Sequence, residues 1–131
     1  TGTVDSLGLI CASIMSKKLA EGISSLVLDV KWGTGAFMKS LADAETLATA
    51  LRDIGTACGK KVTALITNMN QPLGRFVGNA LEVQECLNIL NGVPAPKEGK
   101  SWQDTVDLTL HLAAHMIFLG GRASSPTEGL K

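Results

Sequence analysis

Ser13 and Lys17 stand four residues apart in a stretch whose apolar spacing predicts a helix, so both project from one helix face. A hydroxyl that donates or accepts, next to an ammonium that supplies charge, can grip a flat polar ligand. Spacing alone favours the plainer account, a solvated polar stripe. Asp29 and Lys31 flank Val30 near the carboxyl end of a β-rich run, and Trp32-Gly33-Thr34-Gly35 follows. Ligands gather at that edge of parallel sheets, and glycines let the backbone come close to them. The Gly-x-Gly lacks the third glycine of a dinucleotide fingerprint, so by pattern it is an ordinary strand-to-helix turn.

The segment from Asn70 to Val83 follows a second β-rich run. Its glycines and carbonyls offer oxygens to a hard cation, and Glu82 or Glu85 adds a carboxylate. A plain loop leading into a helix is the simpler account of the same residues. His111 and His115 are also four apart, but Leu112 occupies the glutamate position of a His-Glu-x-x-His zinc motif. A hydrogen-bonded or partly exposed histidine pair is the better reading there.

These groups need elements to hold them. Asp5 or Ser6 caps a first helix, along which Leu9, Ile10, Ile14, Leu19 and Ala20 recur, and Gly22 ends it after Lys17 and Lys18. Leu26–Val30 predicts a buried strand. Ser40 opens a second helix with a stripe of Leu41, Ala44, Leu47, Ala48, Leu51 and Ile54, stopped by Gly59. Val62–Ile66 predicts a second strand, which makes a βαβ unit with parallel strands. A third helix runs from about Gly78 to Leu90, with Ala80, Val83, Leu87 and Leu90 on one side. Residues 93–100 are a linker or long loop; Ser101 and Asp104 resemble a capping box for a fourth helix that ends at Gly120-Gly121. The last ten residues are polar and predicted to fray. The fold class is α/β, a parallel βαβ unit with flanking helices. Two strands do not make a self-sufficient sheet, and the chain opens on Thr1-Gly2-Thr3 without Met, so a fragment of a larger protein is expected.

Composition narrows the function classes. The 131 residues are 45% hydrophobic, which supports a packed core, and 12 basic residues balance 12 acidic ones. Without a basic field, and with aromatics at 4%, a nucleic-acid partner is not expected. Cys11, Cys58 and Cys86 are odd in number and widely spaced, against disulfide staples or a zinc ribbon and in favour of a reducing compartment. No apolar run reaches the roughly 20 residues that span a bilayer. A soluble, cytoplasmic protein with no membrane partner is expected.

Together, Thr3-Val4-Asp5-Ser6, the run Ala12 to Ala20, Leu28-Asp29-Val30-Lys31, Gly35-Ala36-Phe37-Met38 and the stretch Gln71 to Val83 resemble thymidine and pyrimidine-nucleoside phosphorylases. Order and spacing agree over about residues 1–92, a middle portion of that family's much longer subunit. The resemblance implies a partial α/β pyrimidine-binding domain over 1–92, with 93–131 as linker, helix and polar tail of the same domain. It implies phosphorolysis of pyrimidine nucleosides, with inorganic phosphate as co-substrate, in a full-length homodimer. Ser13 and Lys17 match the residues that hold the pyrimidine ring; Val4, Ile10 and Phe37 match residues lining its pocket. Leu73 and Phe76 match carbonyl ligands, and Glu85 the carboxylate ligand, of a potassium ion found in one branch. The phosphate signature lies upstream of Thr1, so no phosphate residue is expected in this chain, and the 131 residues alone are expected to be inactive. Gly8 replaces a common proline, Trp32 a smaller residue or Phe, and residues 93–131 match weakly, as a lineage-specific loop would. The rival readings are an enzyme like anthranilate phosphoribosyltransferase, whose acidic motif is not evident, and a non-catalytic scaffold domain.

Overall fold

A computed structural model describes residues 6–131. Helix α1 (Leu7–Ala20) starts at Ser6, whose side chain accepts from Leu9 N at 3.4 Å. Strand β1 (Ser25–Trp32), helix α2 (Leu41–Ala57) and strand β2 (Lys61–Asn68) form a βαβ unit. The two strands pair in parallel from Ser25 opposite Lys61 to Trp32 opposite Asn68. Both strands run longer than the apolar runs foretold, because cross-strand pairing carries the polar Lys31, Thr67 and Asn68 into the ladder.

Period-two alternation divides the sheet. Leu26, Leu28, Val30 and Trp32 of β1, with Ala64 and Ile66 of β2, face a core built from Cys11 and Met15 of α1 and Ala44, Leu47, Ala48 and Leu51 of α2. Asp29 and Lys31 alternate onto the other face. Two details of the helix stripes differ from expectation. Leu9 of α1 and both ends of the α2 stripe, Leu41 and Ile54, are exposed, while Cys11 and Met15 are the deeply buried positions of α1. Burial pushes the Cys11 thiol pKa up, since the thiolate is poorly solvated there.

The α2 start is well defined. Ser40 Oγ accepts from Asp43 N at 3.1 Å and donates to Asp43 Oδ2 at 2.6 Å. Replacing Ser40 by Ala leaves that N–H without its cap, and urea denaturation of the full-length polypeptide should show a loss of about 1 kcal/mol. A change within experimental error of zero would remove the cap from the stability of α2.

Helix α3 (Asn79–Leu90) gathers the expected apolar residues on one side, and that side is exposed. Ala80, Val83, Leu87 and Leu90 all face outward, Leu90 at 82% exposure, and the buried residue is Glu85 at 5%. At 100° per residue, Glu85 lies on the side opposite that stripe, so turning its carboxylate inward turns the apolar residues out. Helix α4 (Gln103–Leu119) begins at Trp102, not at a Ser101–Asp104 capping box. Ser101 Oγ accepts from Gln103 N, and Asp104 is drawn away to the backbone N–H of Gly74. The tail is ordered as well, through a short helix α5 (Pro126–Gly129). Ser125 caps it, and Glu128 accepts from Ser124 Oγ at 2.5 Å and Ser124 N at 2.6 Å. Those two bonds hold the Glu128 carboxyl below its usual range, the hydroxyl contributing most. Gly129 packs on the Ala114 backbone so closely that a side chain there would collide with it. Among the described residues, no helix is long and apolar enough to cross a membrane.

Candidate functional site

A cavity of about 670 Å³ opens between α1, β1, the loop after β1 and α2. Its walls are mostly apolar, as binding cavities for small organic molecules usually are, and a few polar groups interrupt them. From α1 come Ile10 and Ser13; from the loop after β1 comes Phe37, which is 75% exposed. The expected pocket residues Ile10 and Phe37 therefore share one wall system with Ser13. Val4 lies outside the described residues.

Lys17 stands one turn beyond Ser13, on the same side of α1. Its Nζ donates to Ser13 Oγ at 3.4 Å. The helical spacing thus brings the two groups together, with the hydroxyl in the cavity wall and the ammonium exposed just outside the lining. Lys17 sits in the last turn of α1, where the carbonyl end of the helix favours a cation.

The loop carrying Phe37 is fastened to the segment after β2. Gly35 N donates to Met69 O at 2.9 Å and Thr34 N to Asn70 Oδ1 at 3.0 Å, while within the loop Gly33 N donates to Met38 O at 2.9 Å. Gly33 has φ 122°, and a side chain there would meet Asn70 Oδ1 at 2.6 Å. Only glycine combines that backbone angle with that approach. Local sequence showed the glycines but not the partner they accommodate.

The group that spacing missed is centred on Lys31. Its Nζ lies 2.6 Å from Asp29 Oδ2 and donates to Thr67 Oγ1 at 2.8 Å, while Thr67 Oγ1 donates to Asp29 Oδ1 at 2.5 Å. Asp29 and Lys31 belong to the stretch of β1 that borders the cavity, but their side chains, with Thr67, project from the opposite face of the sheet. The sequence placed these two near a ligand-gathering edge, but Thr67 joins them only through the strand register that sets it opposite Lys31.

Glu85 organises a second cluster, at the loop between β2 and α3. Its Oε2 accepts from Arg75 N at 2.8 Å and Phe76 N at 3.0 Å. Its other oxygen crowds against Gly74, which has φ 73° and has no room for a side chain. Thr105 Oγ1 faces the same spot, buried and without a hydrogen-bond partner. The segment 98–104 ties the loop down further. Lys100 Nζ donates to Pro72 O and pairs with Asp104, and Arg75 donates to the carbonyls of Glu98 and Lys100. Among the described residues, no three His, Cys, Asp or Glu side chains converge as a metal group. The His111 and His115 rings on α4 are tilted by 51° to each other with centroids 6.1 Å apart, and neither lines the cavity.

The sequence matches the family model described as "Glycosyl transferase family, a/b domain" over residues 1–131. The chain belongs to that glycosyl transferase family. Its relatives include the pyrimidine-nucleoside phosphorylase of Geobacillus stearothermophilus, 51% identical over 128 residues. Those of Staphylococcus haemolyticus (strain JCSC1435) and Staphylococcus aureus (strain USA300) are 49% and 50% identical over the same length. Each alignment covers 98% of this chain and 28% of the relative, so the chain spans little more than a quarter of those proteins. The glycosyl transferase match also runs past residue 92 to the last residue, which corrects the expectation that 93–131 is a lineage-specific loop. Observed contacts agree: Lys100 and Asp104 are built into the loop that follows β2.

Proposed function

We propose that this chain supplies the pyrimidine-base site of a pyrimidine-nucleoside phosphorylase, which cleaves the glycosidic bond with inorganic phosphate to give free base and (deoxy)ribose 1-phosphate. The observation that carries the reading is the pair Ser13 and Lys17, 3.4 Å apart at an apolar cavity, in a chain about half identical to enzymes of that name. Phosphate attacks the anomeric carbon while the base departs, and negative charge gathers on the leaving pyrimidine. The ammonium of Lys17 stabilises that charge more in the transition state than in the bound nucleoside, which is how such a group accelerates the step. Ser13 orients the ring from the cavity wall, and Ile10 and Phe37 pack on it, with Val4 as a further lining residue. Phosphate is held by parts of the full-length enzyme outside these 131 residues, so the isolated chain is inactive.

The same reading extends to a cytoplasmic homodimer and to potassium at the loop after β2. The fit for that ion rests on chemistry present there: a carboxylate oxygen of Glu85, the orphaned Thr105 hydroxyl and nearby carbonyls, a donor set that suits a hard cation. Leu73 and Phe76 would supply the carbonyls. The ion's contribution would be to fix the loop.

The test is phosphorolysis of uridine and thymidine by the full-length protein, with anthranilate and phosphoribosyl diphosphate as the competing substrates. The expected products are free base and pentose 1-phosphate. Ser13→Ala should lower kcat/KM by about 1 kcal/mol, the worth of one neutral hydrogen bond. Turnover of anthranilate instead, or turnover by the isolated 131 residues, overturns the proposal.

A further inference from the structure

We propose that Asn70 is a positioning residue of the base site, fixing the loop over residues 33–38 in the turn that sets Phe37 in the cavity wall. The proposal rests on the reading above, in which Phe37 packs on the pyrimidine. Phe37 is 75% exposed, so few neighbours hold its ring, and where the ring stands follows from where its backbone stands. Two bonds shape that backbone from within, Gly33 N to Met38 O at 2.9 Å and Ala36 N to Gly33 O at 3.1 Å. Neither reaches another part of the chain.

The segment after β2 does. Met69 O accepts from Gly35 N at 2.9 Å, Asn70 Oδ1 from Thr34 N at 3.0 Å, and Asn70 O from Thr34 Oγ1 at 3.3 Å. That segment is itself anchored at the ends of both strands, because Met69 N donates to Trp32 O at 2.7 Å and Asn70 N to Asn68 Oδ1 at 2.7 Å. The approach is close: side chains at Gly33 and Gly35 would meet Asn70 Oδ1 at 2.6 Å and Met69 O at 2.9 Å. Of the three acceptors on residues 69 and 70, only Asn70 Oδ1 belongs to a side chain, so it is the one that a substitution can remove. Asn70 does not line the cavity, so its influence on a ligand passes through the loop. A ring held in place before the ligand arrives does not have to be ordered when the ligand binds.

The experiment is calorimetric titration of the full-length protein with uracil, as a double-mutant cycle between Asn70 and Phe37. Phe37→Ala should weaken uracil binding about tenfold, as for loss of one aromatic ring stacked on a base. Asn70→Ala should weaken it about threefold, a modest hydrogen bond's contribution, and should have no further effect once Phe37 is replaced by Ala. Asn70→Asp keeps an acceptor at the Oδ1 position and should restore most of the affinity. Thr34→Val removes the bond to Asn70 O, should shift the affinity in the same direction, and serves if Asn70→Ala does not fold. Equal losses from Asn70→Ala with and without the Phe37 ring would show a structural role alone and overturn the proposal. Unchanged uracil affinity in both Asn70→Ala and Thr34→Val would overturn it too. Unchanged affinity in Phe37→Ala refutes the contact between Phe37 and the base, and this proposal with it, while leaving Ser13 and Lys17 in the base site. Failure of the wild type to bind uracil sinks the base site and the proposal together.

Discussion

Lys17→Ala in the full-length enzyme should lower kcat/KM by ~2–4 kcal/mol, the range for removing one donor that faces charge developed in the transition state. Most of the loss should appear in kcat, because the ammonium meets a nearly neutral base in the bound nucleoside and an anionic one as the bond breaks. Lys17 is exposed on the open side of Ser13, so its removal leaves no buried partner stranded. The fold should therefore be unaffected, and the melting temperature serves as the control. Lys17→Arg keeps the charge but replaces a compact point charge with a planar fork, and should recover only part of the rate. Steady-state kinetics with uridine and phosphate check this. A loss below tenfold in kcat/KM would take Lys17 out of the mechanism.

The sequence carried the positions of Ser13 and Lys17 because helix periodicity is a local property. Once α1 is a helix, residues four apart must be neighbours. The βαβ unit was legible for the same reason: two short apolar runs and the α2 stripe each signal their own element, and the parallel pairing follows from the connection between them. What escaped was set by partners distant along the chain. Thr67 joins the Asp29–Lys31 pair only through the register that places it opposite Lys31, and nothing near residue 67 announces it. The capping role assigned to Asp104 failed because Gly74, thirty residues away, competes for its carboxylate. The tail looked frayed because its residues are polar, yet those polar groups satisfy one another in a tight turn around Glu128.

Helix α3 leads to the second large effect. Its four apolar residues fall on one side, as their spacing indicated, and that side is exposed among the described residues. The buried residue on the opposite side is Glu85. Glu85 satisfies two adjacent peptide N–H groups, those of Arg75 and Phe76, and each would cost about 1–3 kcal/mol if left buried and unpaired. Glu85→Ala strips both donors at once and opens the space around Gly74, so urea denaturation of the full-length protein should show a loss on the order of 3 kcal/mol. Glu85→Gln retains a carbonyl oxygen able to accept both bonds and loses only the charge assistance, so its cost should be about 1 kcal/mol. The contrast between the two variants separates hydrogen bonding from charge. It also bears on the proposed cation, because a potassium-dependent rise in melting temperature should survive in the wild type and vanish in both variants. A Glu85→Ala protein as stable as the wild type would mean that water replaces the carboxylate at no cost and that Glu85 does not hold the loop.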